Sequence, residues 1–170
     1  MKITMKLLPS VLASCFLCLG LACQSAWGVL VKNEPSGFRG NRWGALPEEC
    51  ASLRYVKDMG TTQSGQRITI YDRSTVGIII NGASFSRIRY RFLDNQLESV
   101  QLSFEGRENR DRLVQVVEDR YGPLTPGERK YLARAEWDGY ETTVDLDYNV
   151  EMGRGSLWFI STALHRDFAW

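Results

Sequence analysis

Between residues 87 and 105 the chain alternates apolar and polar side chains with a strict period of two. Ile88, Tyr90 and Phe92 alternate with Arg87, Arg89 and Arg91, and Val100, Leu102 and Phe104 alternate with Gln101, Ser103 and Glu105. Such a period marks strands with one buried face, here two strands of a hairpin. For the apolar rows to share a face, Ile88 must oppose Leu102 and Tyr90 must oppose Val100, because a one-residue slip turns a whole row into water. That parity asks for an odd loop, either Asp94, Asn95 and Gln96 or the five residues 93–97, and it rejects a two-residue turn at Asp94 and Asn95. Residues 55–59, 68–71, 76–80, 142–150 and 156–164 are further β-rich runs bounded by turn residues.

The period shifts to a helical one at Leu113, Val116, Val117 and Tyr121, which predicts an amphipathic helix over residues 110–121. Asn109 is its expected cap, and Gly122 and Pro123 its stop. Pro47 followed by Glu48 and Glu49 starts a short helix in which Leu46, Cys50 and Leu53 share a side, and Thr125, Pro126 and Glu128 signal another short turn. One-sided strands and single-striped helices together predict an α+β fold. Its core would be a single antiparallel sheet of about six or seven strands, with two or three short helices packed on one face and the other face at least partly wet. Residues 37–170 form one domain in this reading, and residues 29–36, with Pro35, an exposed lead-in. An eight-stranded outer-membrane barrel fits poorly, because such strands need about 9–11 residues and a helix interrupts these.

The start of the chain changes how its composition is read. Lys2 and Lys6 precede an apolar run over residues 7–23, and Ala26 and Gly28 supply small residues at a cleavage position, the order of a bacterial secretory signal over residues 1–28. The apolar run contains Pro9 and falls short of the roughly 20 residues of a membrane span. Residues 19–23, ending at Cys23, resemble a lipobox, which makes Cys23 a candidate for lipid attachment. Cleavage before Val29 leaves 142 residues, with 19 Lys and Arg against 20 Asp and Glu. A chain so near neutrality has no overall field for nucleic acid. Three of the four cysteines lie within residues 1–28, so Cys50 stands alone, and a hydrophobic core rather than disulfides must hold the domain.

Candidate chemistry is sparse, and no catalytic group, cofactor or metal site follows from the sequence. Cys50 reads as a small buried hydrophobe, with the sole histidine far along the chain. His165 and Asp167 stand two apart without a serine elbow to complete a hydrolase. Asp145 and Asp147, near Asp138 and Glu141, form a solvated face as readily as a calcium or glycosidase pair. The interaction candidates are Arg87, Arg89 and Arg91, a positive stripe that neighbouring acids such as Glu98 would balance, and the aromatics Phe38 and Trp43, for which plugging the end of the core is the competing role.

Phe38, Gly40, Trp43 and Gly44, followed by a short helix and later by the stop at Tyr121, Gly122 and Pro123, resemble exported proteins of Gram-negative bacteria that begin with an F-x-G-x-x-W-G motif. The order of helix, strands, helix and strands is also similar to small exported domains of the BamE and β-lactamase-inhibitor-protein type, which bind other proteins. The resemblance implies a periplasmic location and a compact α+β domain, and carries no catalytic role. The expected function is that of a non-catalytic envelope protein that binds another exported protein through the wet sheet face. The alternatives are a binder of anionic polysaccharide or lipid head groups, using the arginines or Trp137, Tyr140 and Trp158, and an enzyme of unrecognised type.

Overall fold

The computed structural model describes residues 29–30, 32–73, 78–80 and 82–165 of the 170-residue chain. The expected signal peptide with Cys23, and Asp167 near the C-terminus, lie outside the described residues. In chain order the strands are β1 (Val29–Leu30), β2 (Gly37–Phe38), β3 (Asn41–Arg42), β4 (Leu53–Thr61), β5 (Arg67–Arg73), β6 (Ile78–Ile80), β7 (Ala83–Phe85), β8 (Arg87–Leu93) and β9 (Gln96–Glu105). Then follow helices α1 (Arg107–Tyr121) and α2 (Pro126–Tyr131), strands β10 (Arg134–Asp138), β11 (Thr142–Asn149) and β12 (Arg154–Ser161), and the single turn α3 (Thr162–His165). A 3-10 turn at Pro47–Glu49 is all that forms of the helix expected there.

The principal sheet has eight strands in the order β1-β10-β11-β12-β9-β8-β5-β4, antiparallel except for the two-residue β1. The β2–β3 and β6–β7 pairs form two separate ribbons, so the strands do not all belong to one sheet as expected. Ile88, Tyr90, Val100, Leu102, Val144, Leu146, Leu157 and Phe159 project from one face into the core, against Leu113, Val117 and Tyr121 of α1. Apolar alternation thus gives each strand one dry side, and α1 lies along it. Strand β10 was missed because Ala135 and Trp137 are its only apolar residues, yet Trp137 is fully buried and its indole N–H donates to Gly122 O at 2.8 Å. That contact removes Trp137 from any sugar-binding role. Among the described residues no helix is long and apolar enough to cross a membrane.

The hairpin has the inferred register, with Ile88 opposite Leu102 and Tyr90 opposite Val100, but not the inferred loop. Only Asp94 and Asn95 connect β8 to β9, with φ of 47° and 64°, the left-handed pair that matches strand twist. Parity is restored inside β9. Arg91 pairs with Ser99 while Phe92 pairs with Leu97, so Glu98 is the extra residue of a bulge.

The lead-in is exposed at Lys32, Asn33 and Ser36 yet tied to the domain: β1 pairs with β10, Lys32 N–H donates to Tyr121 O at 2.9 Å, and Glu34 Oε1 accepts Thr142 N–H at 2.7 Å. Helix α1 begins three residues before its expected start, and Asn109 caps nothing; its side-chain amide instead pairs with both backbone groups of Ser84.

The F-x-G-x-x-W-G segment is a clasp over one end of the core. Arg39 and Gly40, at φ 49° and 85°, make the tight turn of the β2–β3 ribbon. Phe38 is buried with its ring 5.2 Å from Phe159 and 6.1 Å from Tyr90. Trp43 is half-buried, and its indole N–H donates to Thr142 Oγ1 at 2.7 Å. Phe38 is therefore a core residue rather than a surface anchor, because its ring packs against Phe159 and Tyr90 and keeps little exposed surface.

Candidate functional site

The wet face of the sheet is organised in rows that cross several strands. One runs Glu136, Asp145, Trp158, Gln101, Arg89 and Asp72, and its neighbour runs Thr143, Ile160, Ser99, Arg91 and Ile70. Cross-strand partners share a face, so acids stand at one end, an aromatic and an isoleucine in the middle, and arginines beyond. A cleft of about 740 Å3 lies over these rows, closed on one side by Thr162 and His165 of α3. Its size is that of a ligand or side-chain pocket.

The β9 bulge places a fully buried charge beneath the cleft, against three of its lining residues. Glu98 has no exposed surface, and its carboxylate accepts the Ser99 hydroxyl at 2.6 Å, faces Arg91 Nε at 3.5 Å and meets His165 Nδ1. The cluster ties α3 to the sheet and fixes the floor of the cleft. Sequence spacing pointed His165 toward Asp167; the fold gives it Glu98, 67 residues earlier. The signal was present in the parity of the two strands, which required one extra residue, but was assigned to the loop.

The arginine stripe arrives with its counter-charges. Arg87 and Arg89 stand 3.9 and 3.6 Å from Asp72, and Arg91 3.5 Å from Glu98. Exposure falls along the strand, with side chains 52%, 35% and 13% accessible, so only Arg87 is well presented. Asp72 reads in the sequence as a turn residue ending the 68–71 run, but β5 continues through it to Arg73.

At the β10–β11 end the balance is acidic. Burial holds the Asp145 carboxyl above its ordinary range, with Arg134 at 3.8 Å partly opposing. Burial and the neighbouring Asp138 raise Glu136 likewise. Asp145 Oδ1 is buried without a hydrogen-bond partner among the described residues. Such an atom is costly unless something outside the fold donates to it. Trp158, whose indole N–H is turned to Ser156 Oγ at 3.0 Å, stands directly across the strand pair from Asp145.

Elsewhere the expected chemistry does not assemble. Burial, followed by Glu49 and Glu48, pushes the Cys50 thiol up, away from a reactive thiolate. Among the described residues no three His, Cys, Asp or Glu side chains are grouped to hold a metal ion. Tyr140 is 86% exposed at a turn, outside the cleft. No protein-family model, curated protein sequence or solved structure matches the chain.

Proposed function

We propose that the protein is a non-catalytic binding module of the bacterial cell envelope, exported by residues 1–28, that docks another envelope protein on the wet face of its sheet. A Lys or Arg side chain of the partner would lie along Trp158 and end between Glu136 and Asp145. The observation that supports this reading is the buried Asp145 Oδ1, which has no hydrogen-bond donor among the described residues and only Arg134 Nε facing it at 3.8 Å, placed beside an aromatic ring at the acidic end of a cleft. A basic side chain supplies the donor and the opposite charge, and its aliphatic stem packs on the indole. The resemblance of the F-x-G-x-x-W-G segment to exported proteins supports the location. The alternative of an anionic glycan or lipid head group on Arg87, Arg89 and Arg91 is disfavoured by the acids that already face all three.

The test is photo-crosslinking in intact cells, with a benzophenone amino acid at position 158 and, as control, at the exposed position 152. A discrete adduct at 158, lost when Glu136→Gln and Asp145→Asn are combined, supports the reading. Adducts at 152 alone, or an adduct at 158 indifferent to both acids, overturn it.

A further inference from the structure

On the opposite side of the sheet, α1 leaves part of the apolar face uncovered. A second cleft of about 690 Å3 opens between α1 and the β2–β3 ribbon, with Phe38 and Phe159 as its floor, Val116 and Val117 as one wall, and Ile79 and Ile80 at its rim. Ile79 is 71% exposed there, an aliphatic side chain held in water at the mouth of an apolar hollow. Three charged residues line this cleft, Arg39, Arg42 and Arg120, and no acid does. All three are exposed, and among the described residues none of them is in an ion pair.

This charge pattern is the reverse of the wet face. There each arginine of the stripe has an acid; here, among the described residues, no acid faces the three guanidinium groups around the apolar hollow, and Arg120 lies over the Tyr121 ring at 5.6 Å. A hollow of this volume, lined by hydrophobes with a few polar groups at its mouth, is the form of a small-molecule site. The arginine fork matches a carboxylate with two parallel hydrogen bonds. We infer that the cleft binds a single-chain anionic amphiphile, its acyl chain along Val116, Val117 and Phe159 and its carboxylate at Arg39, Arg42 and Arg120. A neutral apolar ligand would fill the hollow but leave the arginines without a role. An acidic amphipathic helix of a partner would meet the same charges, and is separated from the lipid by the experiment.

The experiment is displacement of fluorescent cis-parinaric acid from delipidated protein. Saturable one-to-one binding is expected, with palmitate displacing the probe and hexadecanol, the same chain without charge, at least ten-fold weaker. Exchanging Arg39, Arg42 and Arg120 together for Ser removes three exposed side chains, of which Arg120 lies over the Tyr121 ring, and should erase that preference while the far-UV circular dichroism spectrum stays that of the unaltered protein. Val116→Trp, which fills the hollow, should weaken both ligands ten-fold or more. Absence of saturable binding, equal affinity for acid and alcohol in the unaltered protein, unchanged binding by Val116→Trp, or loss of binding on Trp158→Ala would overturn the inference. So would a sedimentation profile in which a second copy of the chain dissociates as the probe binds, since that copy would be the cleft's occupant.

Discussion

Replacing Glu98 by Ala probes the bulge and the cleft floor together. The carboxylate is fully buried and serves three partners, the Ser99 hydroxyl, Arg91 Nε and His165 Nδ1. Breaking a buried ion pair by removing one member costs about 3–5 kcal/mol when the survivor stays buried and unpaired. Here Arg91 and His165 keep 13% and 26% of their side-chain surface, so water can partly replace the lost oxygen atoms. We therefore expect a loss of about 2–3 kcal/mol for Glu98→Ala, the lower part of that scale. Glu98→Gln keeps an acceptor for Ser99 but removes the charge, and should cost about 1–2 kcal/mol. Urea unfolding followed by tryptophan fluorescence and far-UV circular dichroism measures both, with an unchanged slope required for the comparison. Combined with Arg91→Ala, the loss should be less than the sum of the two single losses by at least about 0.5 kcal/mol, because the two deletions remove the same Arg91–Glu98 interaction. A Glu98→Ala variant within about 0.5 kcal/mol of the unaltered protein would refute the reasoning, since that is the scatter of an ordinary surface substitution.

The Glu136 and Asp145 carboxyls are held above their ordinary range, so the fold favours their protonated forms; their contribution is full below the carboxylate range and is lost as pH rises through the raised values. Glu136→Gln should accordingly be more stable than the unaltered protein at neutral pH, with the gap closing as pH is lowered to about 4, and a gap in urea midpoint that widens on acidification would contradict this. Cys50, buried and raised by its surroundings, should react with Ellman's reagent roughly ten-fold or more slowly in the native protein than in urea, and equal rates would show that the thiol is open. At the left-handed Asn95, Gly should stabilise by about 0.5 kcal/mol and Val destabilise by about 1–2 kcal/mol in the same unfolding assay.

What the sequence revealed was whatever repeats. The period of two in β8, β9 and β11 located those strands and their buried faces, and the helical spacing of Leu113, Val117 and Tyr121 located α1 and its stop at Gly122. Features that occur once were harder. Strand β10 has too few apolar residues to show a period, and the pairing of residues 29–30 with it follows from chain tracing no local pattern encodes. The Glu98 bulge was half legible: register demanded an odd residue, but two left-handed positions at Asp94 and Asn95 fixed the turn at two and moved the surplus into β9. The acidic end of the cleft joins Glu136 to Asp145 only through β10, so missing that strand hid the site.

The outer strand β4 carries nine residues along an open edge, interrupted by register shifts between Tyr55 and Lys57 and between Asp58 and Gly60. A smooth edge of that length would accept a strand from any neighbouring chain, whereas the two irregularities and the charged Lys57 and Asp58 break the hydrogen-bonding template. Growth of the sheet from chain to chain is thus hindered along β4, and a partner is better received on a face of this protein, where side chains rather than backbone decide who is admitted.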